Sequence, residues 1–97
     1  MNNKIRISAS AWSDHQSRLY CNGEHVDNSA CITNVVRHNA QSAWLEMSDA
    51  AIVEFACDMA YQVEFSDGAY RTQCRNALRR IVAQAAHLDH IIKASIR

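Results

Sequence analysis

Residues 48–63, SDAAIVEFACDMAYQV, carry the clearest structural signal in this chain of 97 residues. Ser48 is a residue type that commonly caps a helix, and Asp49 complements the helix dipole in a first turn. Apolar residues then recur at helical spacing and form one stripe: Ile52, Phe55, Ala56, Met59 and Val63. The pattern predicts a helix that packs this stripe against the core and ends at residues 66–68, Ser-Asp-Gly.

The segment after this break is predicted to form a longer helix, from about residue 69 to residue 92. Its apolar positions alternate between spacings of four and three residues, as along the seam of a coiled coil. They are Cys74, Leu78, Ile81, Ala85, Leu88 and Ile92. Such a seam suits packing along another helix, either within this chain or in a second copy of it.

The N-terminal segment carries a strand signal and one ambiguous stretch. Residues 4–9, KIRISA, alternate polar and apolar side chains, so Ile5 and Ile7 share one face of a strand. Residues 18–26 contain an Asn-Gly pair, which favours a tight hairpin. The competing interpretation makes residues 12–21 a short helix that ends at the following glycine. The hairpin is our prediction, and the helix is the alternative.

A first helix is predicted to follow, capped by Asp27, Asn28 or Ser29. Its apolar positions recur at helical spacing: Ile32, Val35, Val36, Ala40, Ala43 and Met47. The whole pattern predicts an α+β domain that is mainly helical. A small antiparallel β-sheet would occupy residues 1–26, and three α-helices would occupy residues 27–97.

Length and composition indicate one small globular domain. Apolar residues make up 48% of the chain and charged residues 21%, which is typical of a folded rather than a disordered protein. No apolar run is long enough to span a membrane, and the N-terminus lacks the apolar region of a signal peptide. We therefore expect a cytoplasmic protein whose four cysteines are reduced thiols.

Metal binding and catalysis have little support in the sequence. Cys21, His25, Cys31 and His38 supply the donor atoms that zinc prefers, but they lack the Cys-x-x-Cys spacing of common structural sites. No nucleophile elbow and no H-E-x-x-H motif is present. We therefore predict a protein without enzymatic activity, without a cofactor and without a bound metal.

The formal net charge of zero conceals a segregated charge distribution. The interval between Arg37 and Arg71 contains no lysine or arginine. It contains six acids: Glu46, Asp49, Glu54, Asp58, Glu64 and Asp67. On the predicted second helix, Glu54 and Asp58 lie opposite the apolar stripe and have no basic neighbour along the helix. This like-charge pair is consistent either with a solvated acidic face or with an external basic partner.

The predicted third helix carries a ridge of arginines four residues apart, at Arg71, Arg75 and Arg79. Antiparallel helices of opposite charge often pair, so we expect this ridge to neutralise Asp49, Asp67 and Glu64. A ridge that binds phosphates is the alternative. If the ridge pairs with these acids, Glu54 and Asp58 carry most of the free negative charge.

Residues 1–40 resemble a ribbon-helix-helix DNA-binding module. Lys4, Arg6 and Ser8 would point outward from the strand, and residues 28–37 would form the second helix. The resemblance implies a dimeric transcriptional repressor, in which the strand pairs between two protomers and its outward side chains read the major groove.

In size, composition and acidic tract, the chain resembles phage-encoded anti-CRISPR inhibitors of type I (Csy or Cascade) surveillance complexes. Several of those inhibitors occupy a basic DNA-binding surface by mimicking phosphates. Carboxylates on successive turns of a helix repeat at about 5–6 Å, close to the spacing of phosphates along a strand. The resemblance implies a non-enzymatic inhibitor that binds Cas proteins in the host bacterial cytoplasm and does not itself bind nucleic acid. The predicted partner-binding residues are Glu46, Glu54, Asp58, Tyr61 and Glu64. A homodimer through the third-helix seam is the plainer alternative.

Overall fold

The computed structural model describes residues 3–19 and 31–96. The elements are β1 (Asn3–Ser8), α1 (Ala9–Leu19), β2 (Thr33–His38), β3 (Ser42–Met47), α2 (Asp49–Phe65), α3 (Gly68–Gln84), a 3₁₀ turn (Ala86–Leu88) and α4 (Asp89–Ser95). The predicted class is confirmed: a small antiparallel sheet near the N-terminus is followed by helices.

β3 is the central strand of the sheet and pairs antiparallel with β1 on one side and β2 on the other. One face of the sheet is turned towards the helices. Its buried side chains are Ile5, Ile7, Ala43, Leu45 and Met47. The predicted strand at residues 4–9 is therefore confirmed within β1, with Ile5 and Ile7 on the buried face.

The predicted first helix is wrong where the structure describes it, because β2 and β3 form a hairpin over residues 33–47. Its predicted caps, Asp27, Asn28 and Ser29, lie outside the described residues. Along β3, three apolar side chains face the core and alternate with Trp44 and Glu46, which are half-buried on the other face. Val35 lies opposite Leu45 in the register. The apolar residues are compatible with both helical and strand spacing, and pairing with β1 decides between them. The division into a β-rich segment of residues 1–26 and a helical remainder is wrong for the same reason.

Asn39 forms the turn of this hairpin. Its main-chain N–H donates to the carbonyl oxygen of Ser42 at 3.0 Å. Its side-chain oxygen accepts from the amides of Gln41 and Ser42 at 2.8 and 2.9 Å. Asparagine commonly stabilises turns by such local hydrogen bonds, which compete with helix formation. This residue therefore interrupts the helical pattern that the apolar positions suggest.

α1 agrees with the alternative interpretation of residues 12–21 as a helix, as far as Leu19. The hairpin predicted for residues 18–26 is wrong at its start, because Arg18 is helical, and its part from residue 20 onwards lies outside the described residues. Ser8 caps α1 by accepting a hydrogen bond from the third residue of the helix at 3.3 Å. α1 reaches the core through two buried rings, which belong to Trp12 and His15.

α2 confirms the prediction made from residues 48–63. Ser48 accepts a hydrogen bond from the amide of Ala51 at 3.2 Å, and Asp49 occupies the first turn. The residues of the stripe from Ile52 to Met59 are buried, and Val63 is partly buried. Phe55 stacks on His15, with ring centroids 4.5 Å apart, and contacts Trp12 edge-on at 5.7 Å. These rings join α1 to α2 in the core.

The predicted third helix is interrupted at Ala85, which has φ −127° and ψ 51°. A straight helix over residues 69–92 would be about 36 Å long. The molecule measures only 35 × 30 × 27 Å, and the break allows α4 to pack against α2. Five residues of the predicted seam are buried, and Leu78 is half-buried. The seam is therefore part of this chain's own core and is not free to bind a second copy.

Within the described residues, no helix combines the length and the apolar character needed to cross a lipid bilayer.

Candidate functional site

Asp58 lies in a polar cluster between helices and not on an open acidic face. Arg18 donates from Nε to both carboxylate oxygens at 2.8 and 3.0 Å, and from Nη2 to Oδ2 at 2.7 Å. His15 Nδ1 lies 2.7 Å from Oδ2. The Asp58 side chain is only 17% exposed. The expectation that Asp58 points outward without a counter-charge is wrong, because α1 supplies the counter-charge.

The same cluster extends to α3. Arg18 Nη1 donates to Asp14 at 2.6 Å and to the Tyr70 hydroxyl oxygen at 2.8 Å. The Tyr70 hydroxyl in turn donates to Asp14. We call these five residues, His15, Arg18, Asp58, Asp14 and Tyr70, the Asp58 cluster. It connects α1, α2 and α3 through one guanidinium group.

The electrostatics of the Asp58 cluster keep Asp58 ionised. Burial opposes ionisation, but hydrogen bonds from His15 and Arg18 outweigh it and lower the pKa of Asp58 to about 2. Because an ionised carboxylate can only accept, His15 Nδ1 carries the hydrogen that joins the two groups. Burial and the hydrogen bond to Asp14 raise the pKa of Tyr70. The donors and acceptors satisfy one another, which is typical of a cluster that stabilises a fold.

Two other predicted residues, Tyr61 and Glu64, lie together on the outer side of α2. Tyr61 is 59% exposed and Phe65 is 68% exposed, and their ring centroids are 4.5 Å apart. Glu54 lies on the same side of α2, two turns before Tyr61. We call Glu54, Tyr61, Glu64 and Phe65 the α2 face. Phe65 was not in the list of five predicted partner-binding residues, but the sequence does place it near Tyr61 as a candidate apolar anchor, because the two are one helical turn apart.

The acids of the α2 face form no ion pair within the part of the chain that the structure describes. Among the described residues, no lysine, arginine or histidine lies within ion-pair distance of Glu54 or Glu64. Glu54 is half-buried against Cys31. Burial, together with a hydrogen bond to the Glu54 carboxylate, raises the pKa of the Cys31 thiol to about 11. Glu64 is exposed.

A shallow hollow of about 280 Å³ adjoins the exposed aromatic pair. It lies between the second half of α2 and the end of α4. Its walls are formed by Cys57, Ala60, Tyr61, Glu64, Ser95 and Ile96. An apolar floor beside an acidic rim can receive a long basic side chain, because lysine and arginine bury their aliphatic stems and keep their charged ends exposed.

Glu46 lies apart from the α2 face. It is on the outer face of the sheet, where Lys4 and Asn34 are its register partners on the neighbouring strands. α2 packs on the opposite face of the same sheet. The structure therefore brings together three of the five predicted residues, Glu54, Tyr61 and Glu64, while Glu46 and Asp58 belong to other environments.

The outer face of the sheet is basic around one aromatic residue. The guanidinium carbons of Arg6 and Arg37 lie 5.0 and 5.2 Å from the centroid of the Trp44 ring. Arginine over an aromatic ring is a favourable cation–π arrangement. Lys4 and Arg6 are exposed, as predicted for outward residues of the strand.

The prediction that the arginine ridge pairs with Asp49, Asp67 and Glu64 is wrong. Among the described residues, the side chains of Arg71, Arg75 and Arg79 form no ion pair. Asp49 instead accepts a hydrogen bond from Asn3 at 2.7 Å and lies 3.7 Å from His87. The hydrogen bond from Asn3 is the main cause that lowers the pKa of Asp49. The ridge therefore remains exposed and positively charged.

The arrangement of β1 differs from that of a ribbon-helix-helix protein. One edge of β1 pairs with β3 of the same chain. At the other edge, the Gln84 side chain donates to the main-chain oxygen of Arg6 at 2.8 Å and accepts from its N–H at 2.8 Å. These bonds occupy the groups that a second protomer would need for pairing at that position.

The suggested zinc ligands are only partly described. Cys21 and His25 lie outside the described residues. In the part of the chain that is described, no group of three or more histidine, cysteine, aspartate or glutamate side chains is placed to hold a metal ion. The Cys31 thiol instead lies beside Glu54, whose carboxylate adds to the effect of burial in raising the pKa of the thiol.

Comparisons with protein-family models, with curated proteins and with solved structures find no match for this chain.

Proposed function

We propose that this protein is a non-enzymatic binding module that docks through the α2 face on a basic surface of a larger protein complex. The observation that carries the proposal is the exposed, tilted pair of Tyr61 and Phe65. It lies beside Glu64 and two turns after Glu54, and neither acid forms an ion pair with a described residue. Large aromatic side chains at the centre of an interface commonly supply most of its binding energy. The flanking carboxylates would direct this apolar contact to a positively charged surface.

The class of partner is a basic nucleic-acid-binding surface, and the candidate complex is a type I CRISPR surveillance complex. Inhibition would follow because the bound module excludes DNA from the surface that it covers. Since Asp58 is neutralised within the fold, Glu54 and Glu64 are the carboxylates that remain on the α2 face. They are about 15 Å apart along the helix axis. Binding would therefore combine the apolar contact of Tyr61 and Phe65 with two negative charges. It would not mimic a series of phosphates along a DNA strand.

The experiment is a competition assay with a reconstituted type I surveillance complex and its fluorescently labelled target DNA. The wild-type protein is expected to displace the DNA, with an apparent affinity that falls as the salt concentration rises. The double variant Tyr61→Ala/Phe65→Ala should weaken displacement at least about tenfold, because it removes both anchors. The variant Glu54→Lys/Glu64→Lys should weaken it further and reduce its dependence on salt.

The matched control is Glu46→Lys, which makes the same type of charge change on the outer face of the sheet. Displacement that survives in this control but is lost in the α2 variants supports docking through the α2 face. Absence of displacement by the wild-type protein, or equal losses in all variants, would contradict the proposal.

A second candidate function is nucleic-acid binding through the outer face of the sheet. Arg6 and Arg37 over Trp44 favour it, because guanidinium groups bind phosphates and an aromatic ring can stack on a base. Fluorescence anisotropy with labelled single-stranded and duplex DNA tests this function directly. Salt-sensitive binding that is lost in Arg37→Ala would favour it over docking on a protein.

A further inference from the structure

A polar groove with a volume of about 460 Å³ lies between α3 and the outer side of β1. It is on the opposite side of β1 from the buried face of Ile5 and Ile7. Among its lining residues are Arg6, Ser8 and Ser42 from the sheet, and Gln73, Asn76 and Arg80 from α3. This volume falls in the range of small-molecule binding sites, which is about 300–1,000 Å³.

The groove has a net positive lining. Two arginines, Arg6 and Arg80, contribute to its walls, and among the described residues no aspartate or glutamate does. Neither arginine forms an ion pair with any residue in the described ranges. The other polar residues of the lining are serine, threonine, asparagine and glutamine, which can donate hydrogen bonds to an anion.

The two walls are held in a defined position relative to each other. The Gln84 side chain, one turn after Arg80 on α3, binds both main-chain groups of Arg6 at 2.8 Å. Arg6 itself is oriented by Ser42, whose hydroxyl oxygen accepts from its Nη2 at 3.4 Å, and by the Trp44 ring at 5.0 Å. A preformed cationic groove loses less conformational freedom on binding than flexible surface arginines do.

We propose that this groove is a binding site for a phosphate-bearing ligand. Guanidinium groups bind phosphate oxygens through two parallel hydrogen bonds, and the neighbouring hydroxyl and amide groups supply further donors. Ser10, which also lines the groove, is in the first turn of α1, where the helix dipole favours an anion. The volume admits a mononucleotide or a comparable phosphorylated molecule, and the open groove also admits one segment of a nucleic-acid backbone.

The groove and the α2 face are independent sites, since they share no residue. Substitutions in the groove are therefore expected to leave competition through the α2 face unchanged. Failure of one proposal does not imply failure of the other.

The test is titration of the ¹⁵N-labelled protein at low ionic strength, followed by NMR and by calorimetry. The probes are inorganic pyrophosphate, adenosine monophosphate and a single-stranded DNA oligonucleotide. Saturable binding is expected, with chemical-shift changes concentrated at Ser8, Ser10, Asn76 and Arg80. The first two probes report on free phosphate compounds, and the third reports on a nucleic-acid backbone.

Three variants decide the result. Arg80→Gln should weaken binding at least about tenfold, because it removes a charge-assisted hydrogen bond. Asn76→Asp keeps the shape of the side chain but should abolish binding, because it adds a negative charge. Arg75→Gln is the matched control, an exposed arginine on the same helix that does not line the groove. All three positions are exposed, so circular dichroism should report an unchanged fold.

Binding that is weakened by Arg80→Gln and Asn76→Asp but not by Arg75→Gln supports the site, whichever probe binds most tightly. Equal weakening by Arg75→Gln would mean that charge alone attracts the anion, and this overturns the proposal. Failure of all three probes to reach saturation at millimolar concentrations also overturns it.

Discussion

Arg18 and Asp58 form a two-pronged ion pair between α1 and α2, with Nε 2.8 Å from Oδ1 and Nη2 2.7 Å from Oδ2. Asp58, the acid nearest the middle of α2, is therefore not part of the predicted acidic surface. Its ion pair with Arg18 instead holds α1 against α2. Both side chains are mostly covered, with 26% of Arg18 and 17% of Asp58 exposed. Planar guanidinium–carboxylate geometry of this kind is among the stronger polar contacts in proteins.

The variant Asp58→Asn is expected to lower the free energy of unfolding by about 2–3 kcal/mol. The reason is that His15 loses its charged acceptor and Arg18 keeps only Asp14 as one, while both side chains remain largely covered. Urea denaturation followed by circular dichroism measures the change. Glu54→Gln is the control, since Glu54 has no basic partner among the described residues, and it should change stability by less than about 0.5 kcal/mol. Similar effects of the two substitutions would mean that the Asp58 cluster does not stabilise the fold.

Stability is expected to fall in acid because of the same carboxylate. Its pKa is lowered from 3.8 to about 2 in the folded protein. A folded-state pKa below the unfolded one contributes stability at pH values above the unfolded pKa, and this contribution is lost as the pH falls from about 4 to about 2. Urea midpoints measured between pH 6 and pH 2 should show this loss, at roughly 2 kcal/mol. In Asp58→Asn this part of the pH dependence should be missing, and an unchanged pH profile in that variant would contradict the assignment.

The variant Gln84→Glu is expected to destabilise the protein by about 1–2 kcal/mol. A carboxylate cannot donate to the main-chain oxygen of Arg6, so the bridge between α3 and β1 would lose one of its two hydrogen bonds. Thermal denaturation followed by circular dichroism provides the measurement. Ala83→Glu adds the same charge at the neighbouring exposed position and serves as the control. If both variants lose the same stability, the effect is one of charge and not of the bridge.

The variant Gly68→Ala is expected to cost about 1–2 kcal/mol of stability. Gly68 starts α3 with φ +64°, a conformation that side chains with a Cβ atom rarely adopt. Apart from its chain neighbours and the nearby backbone of α3, no described atom lies within 4 Å of the position that an added Cβ would take, so the cost would come from the backbone conformation and not from a clash with another element. Gly68→Asn should cost less in the same urea denaturation experiment, because asparagine tolerates this conformation better than alanine does. An equal cost for both variants would argue against this explanation.

Much of the fold follows from local sequence patterns. The Ser48 cap and the stripe that follows it predict α2 correctly, because a capping side chain and a helical apolar period are both local properties. The alternation around Ile5 and Ile7 predicts β1 for the same reason. The same approach mistakes the β2–β3 hairpin for a helix, since its apolar residues suit both periods and the partner strand β1 is more than 30 residues away in the chain.

The order of charged residues along the chain did not predict which of those charges are paired in the folded protein. Asp58 looked unpaired because its partner Arg18 is 40 residues away in sequence. The arginine ridge, in contrast, seemed to have nearby acids, but its side chains form no ion pair with those acids in the fold. Helical periodicity places a charge on one side of its own helix, but it does not say which other element covers that side.

Capping residues and the periodic spacing of apolar residues were thus sufficient to predict α2, β1 and the α+β class. Both are local features whose physical causes act within a few residues. The tertiary structure alone decided that residues 33–47 pair as strands, that the last helix breaks at Ala85, and that Asp58 is neutralised while Tyr61 and Phe65 stay exposed. These outcomes depend on which surfaces meet when the elements pack, and burial and ion pairing between distant segments determine them.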